Sequence, residues 1–250
     1  MSRRGSHQGG LVTLPGPPRV GFWLYLITDG VFEVRQGQQL VPTPLEGRLC
    51  SALSAVPRGM VAVQLRARQM DAGALLSAAD RLRQLTARFG APLFINDRLD
   101  VALLVEADGV HLPAAGLPPR AARRLVGTRM LLGSSTHNLA EARAAVTEGV
   151  DFVTFGPIWP TPSKPALDVA AFPPVHGSLV SPVGVAGLAE AVAALPVPVF
   201  ALGGVDCIER ARECIAAGAR IACLRAVLGA QDPAATARAL FAVCSGELNA

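Results

Sequence analysis

VAVQLRARQMDAGALLSAADRLRQLTARFGAPLFIN (Val61–Asn96) sets two short apolar runs, VAVQLR and PLFIN, on either side of a segment with a different period. Within that segment Leu75, Ala78, Leu82 and Leu85 keep the i, i+3, i+4 spacing that gathers apolar side chains on one helical face. Strand, helix, strand is the unit of a parallel sheet covered by helices. The same alternation recurs outward from this stretch. Further apolar runs stand at WLYLIT (23–28), GVHL (109–112), MLLGS (130–134), FVTFG (152–156), VPVFALG (197–203) and IACLR (221–225). NLAEARAAVTEG opens on Asn138 and stops at Gly149, and DCIERARECIAAG opens on Asp206 and stops at Gly218, so each has a polar cap and a terminal glycine. Eight strand and helix units in about 230 residues match a single α/β domain of the (β/α)8 TIM barrel type in number and size. A doubly wound sheet is the competing arrangement. Its dinucleotide fingerprint, GxGxxG after the first strand, is absent, because ITDGVF stands there.

The composition agrees with one large core. The 250 residues are 51% hydrophobic and 17% charged, enough to bury a domain interior without metal or disulfide. Mean hydropathy is high at +0.39, yet no apolar run reaches the roughly 18 residues that a membrane-spanning helix needs. The opening MSRRGSHQGG is basic, and LVTLPGPPRV after it is too short and proline-rich for the apolar centre of a signal peptide. Residues 1–20 are therefore expected to be a mobile tail and 21–250 the barrel. Cys50, Cys207, Cys214, Cys223 and Cys244 form an odd set with no CxxC pair, which predicts buried thiols in a reducing compartment, the cytoplasm. A net charge of +4 raises the question of a polyanion partner. The arginines are scattered along helices and aromatics are only 5%, so nucleic acid is not expected to bind.

In a barrel of this type the chemistry sits on the loops after the C-terminal strand ends. Those ends carry Thr28 and Asp29; Gln64, Arg66 and Arg68; Asn96 and Asp97; His111; Ser135 and His137; Thr161, Ser163 and Lys164; Gly203 and Gly204; and Arg225. Exposure to solvent explains polarity at a strand end. It does not explain why Arg66, Asn96 and Asp97 recur with Ser, Lys and His at the same end. FGPIWPTPSKP (155–165) then begins a connection that runs to about Val185, far longer than the usual two to six residues. Its prolines preset the backbone, and Thr161, Ser163 and Lys164 offer two hydroxyls and a cation to phosphate or diphosphate oxygens. A second anion site is expected where ALGGV and CLRAV end the seventh and eighth strands. There Gly203 and Gly204 allow close backbone approach and Arg225 offers a guanidinium; the competing reading of the glycines is a tight turn.

LYLITD, VQLRAR, INDRLDVALLVEADGVHL, SSTHNLAEA, GPIWPTPSKP and ALGGV occur in that order between Leu24 and Val227. In this the chain resembles the thiamine phosphate synthase and TenI superfamily of thiamin biosynthesis. The resemblance implies a barrel that binds a phosphorylated thiazole, with the phosphate at the seventh and eighth strands. Two chemistries are implied. The synthase joins a hydroxymethylpyrimidine diphosphate to the thiazole phosphate and releases diphosphate, with Mg²⁺; the TenI-type enzyme aromatises a thiazole carboxylate phosphate by moving a proton, without a cofactor. Asp97 matches the first metal carboxylate. The segment expected to bring the second reads HLPAAG here, with Pro113, Ala114 and Gly116 in place of glycine, glutamine and aspartate. QLRAR has Arg68 for the family's lysine, and Arg225 replaces a small hydroxyl residue. Charge survives these exchanges, while geometry need not.

His137 matches the proton carrier of the TenI-type branch, and its place just before helix five predicts a dipole that keeps the imidazole neutral. On this reading the tautomerase stands ahead of the synthase. A catalytically inactive thiazole or thiamin phosphate-binding regulator is the alternative of another class. The expected catalytic residues are His137, Arg66 and Lys164; the expected substrate and phosphate ligands are Gln64, Arg68, Asn96, Ser135, Thr161, Ser163, Gly203, Gly204 and Arg225. Asp97 binds metal only in the synthase reading. The expected partner is the small phosphorylated thiazole, with no membrane, and a homo-oligomer is compatible with a sequence that fixes no oligomeric order.

Overall fold

The alternation of period two and period 3.6 becomes, in a computed structural model that describes residues 20–28, 31–35, 39–161 and 181–246, a closed parallel barrel. The chain runs through β1 (Leu24–Thr28), β2 (Phe32–Arg35), β3 (Gln39–Pro42), α1 (Pro44–Ser54), β4 (Val61–Leu65), α2 (Ala72–Phe89), β5 (Leu93–Asn96), α3 (Leu99–Leu104), β6 (Gly109–Leu112) and α4 (Pro119–Val126). It continues through β7 (Leu131–Thr136), α5 (Leu139–Thr147), β8 (Phe152–Phe155), α6 (Gly184–Ala194), β9 (Val199–Ala201), α7 (Ile208–Ala216), β10 (Arg220–Cys223), α8 (Arg225–Leu228) and α9 (Pro233–Ser245). The barrel order is β1, β10, β9, β8, β7, β6, β5, β4, and β4 closes onto β1 with Ile27 opposite Gln64. All eight expected strands are present. The tail expected over 1–20 lies outside the described residues except for Val20, whose carbonyl accepts from Arg220 Nη1 at 2.8 Å.

Helix α2 forms as its spacing predicts. Asp71 caps it by accepting from Ala74 N, Gly90 ends it at φ +61°, and Leu75, Ala78, Leu82 and Leu85 are buried against the barrel. Asn138 likewise caps α5, accepting from Glu141 N. Asp206 does not cap α7. The cap position is Cys207, without a side-chain bond, and the Asp206 carboxylate instead takes Arg210 at 2.9 Å. Cys207 is exposed, contrary to the expectation of buried thiols, whereas Cys214, Cys223 and Cys244 are buried.

Inside the barrel, Phe22, Tyr25, Phe94, Phe152 and Phe200 form an aromatic plug with ring centres 5.1–5.9 Å apart, several of them edge to face. Room for it comes from two glycines on neighbouring strands. A methyl on Gly109 would lie 2.3 Å from Phe94 Cε1, and one on Gly133 2.3 Å from Phe152 Cζ. Strand alternation places Gln64, Asn96, His111, Ser135 and Thr154 above this plug, toward the C-terminal ends. The plug is therefore the floor of the mouth.

At the opposite end, two acidic residues tie helices to strands. Asp108 Oδ2 accepts from Arg83 at 2.6 Å and from Leu93 N at 2.8 Å; Asp151 Oδ2 accepts from Arg123 at 2.6 Å and Leu132 N at 2.7 Å. Each carboxylate satisfies an N–H at the start of the adjacent strand, so the N-terminal rim is built for stability rather than chemistry. The hairpin β2–β3 was not expected. Its strands are only four residues long, FEVR with two charges and QLVP with two apolar residues between Gln39 and Pro42, which hides them from a search for apolar runs.

Candidate active site

Above the aromatic floor, polar side chains take the inward positions of β4 to β8. His111 is fully buried with Nε2 2.9 Å from Ser135 Oγ, and Thr154 Oγ1 donates to the same oxygen at 3.5 Å. Burial pulls the His111 imidazole down to about 3, so it is neutral at physiological pH and holds Ser135 rather than carrying charge. Gln64 is buried too, and its Nε2 has no hydrogen-bond partner among the described residues; the same holds for His111 Nδ1 and Tyr25 Oη. Burial holds the Tyr25 phenol well above its ordinary range, with the Gln64 side chain opposing. Orphaned buried polar atoms are rare in folded proteins, and several together beneath one mouth mark a place where water or a polar ligand completes the structure.

Asn96 lies opposite His111 at the end of β5, and Asp97 follows in the left-handed region at φ +67°, a conformation that aspartate tolerates better than most residues. Its backbone N–H is fixed on the His111 carbonyl at 2.9 Å, and its side chain is exposed at the mouth. A methyl on Gly116 would lie 3.1 Å from Asp97 Oδ1 and 2.9 Å from Pro113 Cδ. The position expected to bring a second carboxylate is therefore beside the first, and it brings no oxygen. Among the described residues no three His, Cys, Asp or Glu side chains gather as a metal site. Mg²⁺ is nevertheless held in many sites by one or two carboxylates plus substrate phosphates, so Asp97 with a bound diphosphate meets the minimum. Arg66 is half-buried at the end of β4, with its N–H on the Thr28 carbonyl at 3.2 Å, and Arg68 is exposed beyond it.

The two loops after β8 and β9 meet backbone to backbone. Ile158 N donates to the Leu202 carbonyl at 3.0 Å and Trp159 N to the Gly203 carbonyl at 3.1 Å. Gly203 and Gly204 have φ of +94° and +77°, and methyls there would come within 2.7 Å of Pro157 and 2.6 Å of Trp159 Cβ. The glycines thus serve the tight-turn reading directly, and the turn leaves the N–H groups of Gly203, Gly204 and Val205 without an acceptor among the described residues. Both readings apply to the same loop. Arg225 begins α8, is exposed, and makes no side-chain hydrogen bond or ion pair among the described residues. Thr161 is half-buried at the start of the long connection, while Ser163 and Lys164 lie outside the described residues. The connection returns beside its origin: Val183 N donates to the Pro157 carbonyl at 2.9 Å and Gly184 N to Ile158 O at 3.1 Å.

His137 precedes α5 as expected, but its neighbour changes the electrostatics. Its Nδ1 is 3.2 Å from Glu141 Oε2, which also accepts from the His137 N–H at 2.8 Å, and Glu141 Oε1 takes the Asn138 amide at 2.6 Å. The expectation of a dipole that keeps the ring neutral is thus offset by a carboxylate that favours the imidazolium. Glu141, four residues on, is legible in the sequence as the far end of a capping box and was missed as a partner of the histidine. Trp159 and Arg210 were also missed.

Residues 24–227 match the family model described as thiamine monophosphate synthase. A putative thiamine-phosphate synthase of Geobacter sulfurreducens is 42% identical over 226 residues, covering 90% of this chain and 95% of that protein. The thiamine-phosphate synthase of Anaeromyxobacter dehalogenans is 44% identical over 189 residues, 76% of this chain and 79% of that protein. Among solved structures, the thiamine phosphate pyrophosphorylase of Pyrococcus furiosus superposes with a TM-score of 0.70 at 27% identity, covering 90% of this chain and 96% of that one.

Proposed function

The chain belongs to the thiamine monophosphate synthase and TenI family, and from that membership we propose that it couples a hydroxymethylpyrimidine diphosphate to a thiazole phosphate, forming thiamine phosphate and diphosphate. The observation that carries this reading is the name shared by relatives 37–44% identical over most of their own length. It reverses the order drawn from the sequence, which placed the tautomerase first.

The thiazole ring nitrogen gives its lone pair to the pyrimidine methylene carbon, and the bond from that carbon to diphosphate oxygen breaks with its electrons. No proton has to move at the nitrogen. What the protein supplies is orientation and compensation of the negative charge that grows on the leaving diphosphate. The Gln64 amide, buried and unpartnered, and Asn96 give the heterocycle hydrogen-bonding groups above an aromatic floor. Arg66 and Arg68 would face the developing charge, with Arg225 as a further cation; Lys164, expected from the sequence to join them, lies outside the described residues. Mg²⁺, held by Asp97 and the diphosphate, would neutralise part of that charge. The hydroxyl of Ser135, held 2.9 Å from His111 Nε2, adds a polar group of set position.

A second reading keeps two specific observations in its favour. Gly116 leaves Asp97 as a single carboxylate, and the His137–Glu141 pair is suited to taking and returning a proton at a heterocycle carbon. Assay of the purified protein for both reactions, with and without EDTA, separates the two. Mg²⁺-dependent thiamine phosphate formation that EDTA abolishes is expected; EDTA-indifferent aromatisation without coupling replaces the synthase by the tautomerase.

His137→Gln tests the same choice by a different route. Because coupling requires no base, this variant is expected to retain its kcat within about tenfold, whereas removal of a general base typically costs 10²- to 10⁴-fold. A loss of coupling in the larger range, with thiazole phosphate affinity preserved, assigns His137 to the chemistry.

A further inference from the structure

Three contacts converge on the guanidinium of Arg210 in α7. Nη1 donates to the Gly204 carbonyl at 2.8 Å and to Asp206 Oδ1 at 2.9 Å, and Cζ stands 5.0 Å from the ring centre of Trp159. Gly204 belongs to the loop after β9 and Trp159 to the loop after β8. One side chain from a flanking helix therefore grips both loops at the mouth.

The grip fixes where N–H groups point. In a trans peptide the C=O and N–H face opposite ways. With the Gly204 carbonyl turned onto Arg210, the Val205 N–H is directed away from α7; with the Gly203 carbonyl taken by Ile158 N and Trp159 N, the Gly204 N–H is directed away from the β8 loop. Neither N–H meets an acceptor among the described residues, although Val205 is only 5% exposed. Gly203 and Gly204 are both at positive φ, and successive unpaired N–H groups in such a turn form an anion-binding concavity. Without Arg210 the Gly204–Val205 peptide, flanked by a glycine with little steric preference, is free to rotate.

We propose that Arg210 is the positioning residue of this anion loop: it does not touch the substrate, and it holds the Gly203–Val205 peptides in the orientation that receives the phosphate monoester of the thiazole. The proposal rests on the thiazole phosphate reading above. The guanidinium lies over the Trp159 ring at 5.0 Å while Nη1 alone serves both acceptors, so a lysine could reproduce the two hydrogen bonds but not the guanidinium–indole contact, and it is expected to replace the arginine only in part.

The test compares wild type, Arg210→Ala and Arg210→Lys by calorimetric titration with the thiazole phosphate and with the unphosphorylated thiazole alcohol. Both variants are expected to bind the phosphate about tenfold more weakly, the loss of one well-placed hydrogen bond, and to bind the alcohol as wild type does. The KM for thiazole phosphate should rise by the same factor, with kcat within about twofold. Amide hydrogen exchange of Ile158 and Trp159, whose N–H groups bond the Leu202 and Gly203 carbonyls of this loop, should accelerate about tenfold in both ligand-free variants, on the same hydrogen-bond scale. Unchanged phosphate affinity together with unchanged exchange overturns the proposal, as does full rescue by lysine, which would make the contribution one of charge. If wild type binds neither thiazole, it is the function reading that fails, and the exchange rates still decide the role of Arg210. If the alanine variant does not fold, the lysine variant carries the comparison.

Discussion

On the synthase reading, Asp97→Asn is expected to lower Mg²⁺-dependent coupling by about 10²- to 10³-fold, the loss seen when a group that stabilises developing charge is removed. The expectation rests on arithmetic of ligands. Gly116 stands beside Asp97 with no oxygen, and among the described residues no cluster of three acidic, histidine or cysteine side chains exists, so on the synthase reading Asp97 is the described carboxylate proposed to meet the ion. Asparagine is the informative substitution because it also tolerates φ near +67°, which leaves the turn after β5 intact. Thermal unfolding should therefore be unchanged while the Mg²⁺ concentration needed for half-maximal rate rises. The companion Gly116→Asp is expected to lower that concentration. Its φ is open to any residue, and the built Cβ meets Pro113 Cδ at 2.9 Å, so the Pro113 ring must shift by a few tenths of an ångström. Full coupling activity in Asp97→Asn would mean that the diphosphate alone carries the metal.

Gly156→Ala is expected to destabilise the protein by about 4 kcal/mol or to prevent folding, which places it among the exceptional single substitutions. A methyl at this position would lie 1.9 Å from the Leu202 carbonyl oxygen, a backbone atom held by Ile158 N at 3.0 Å. The glycine φ of +154° adds conformational strain for any side chain. Urea unfolding measures the effect. Gly187→Ala, inside α6 where the new methyl would meet Val183 Cβ at an ordinary 3.4 Å, provides the contrast: there alanine should be neutral or stabilising by about 0.5–1 kcal/mol. Equal stability of the two variants would show that the β8 and β9 loops can part without cost.

Much of the barrel was readable because a buried parallel strand is a short apolar run and each covering helix carries its own caps and stripe. Errors fell where backbone geometry overrode composition. VPVFALG was read as a strand to Gly203, but pairing ends at Ala201 because the Leu202 and Gly203 carbonyls turn to the loop after β8. CLRAV ended a strand in the sequence reading, and Arg225 instead opens the short helix α8. In the site, Gln64, Asn96, Asp97 and Ser135 were legible because strand ends converge in any barrel. The His111–Ser135 bond was not, since it joins residues 24 apart through a register that only the closed sheet defines. Gly203 and Gly204 show the same limit: the sequence offered anion binding or a tight turn as alternatives, and the turn is what leaves the N–H groups free.

The long connection after β8 departs at Thr161 and comes back at Val183 and Gly184, which are hydrogen-bonded to Pro157 and Ile158 at its point of departure. Its two feet are thus stitched together independently of what lies between them. Closing a loop costs free energy that grows only with the logarithm of its length, about 0.6 kcal/mol per doubling. Residues 162–180 can therefore vary in length and composition at little cost to the barrel. In evolutionary terms the two feet bound a cassette: selection can change the segment between them while the eight-stranded core is inherited unchanged, and a randomised library inserted between the feet would draw on the same freedom.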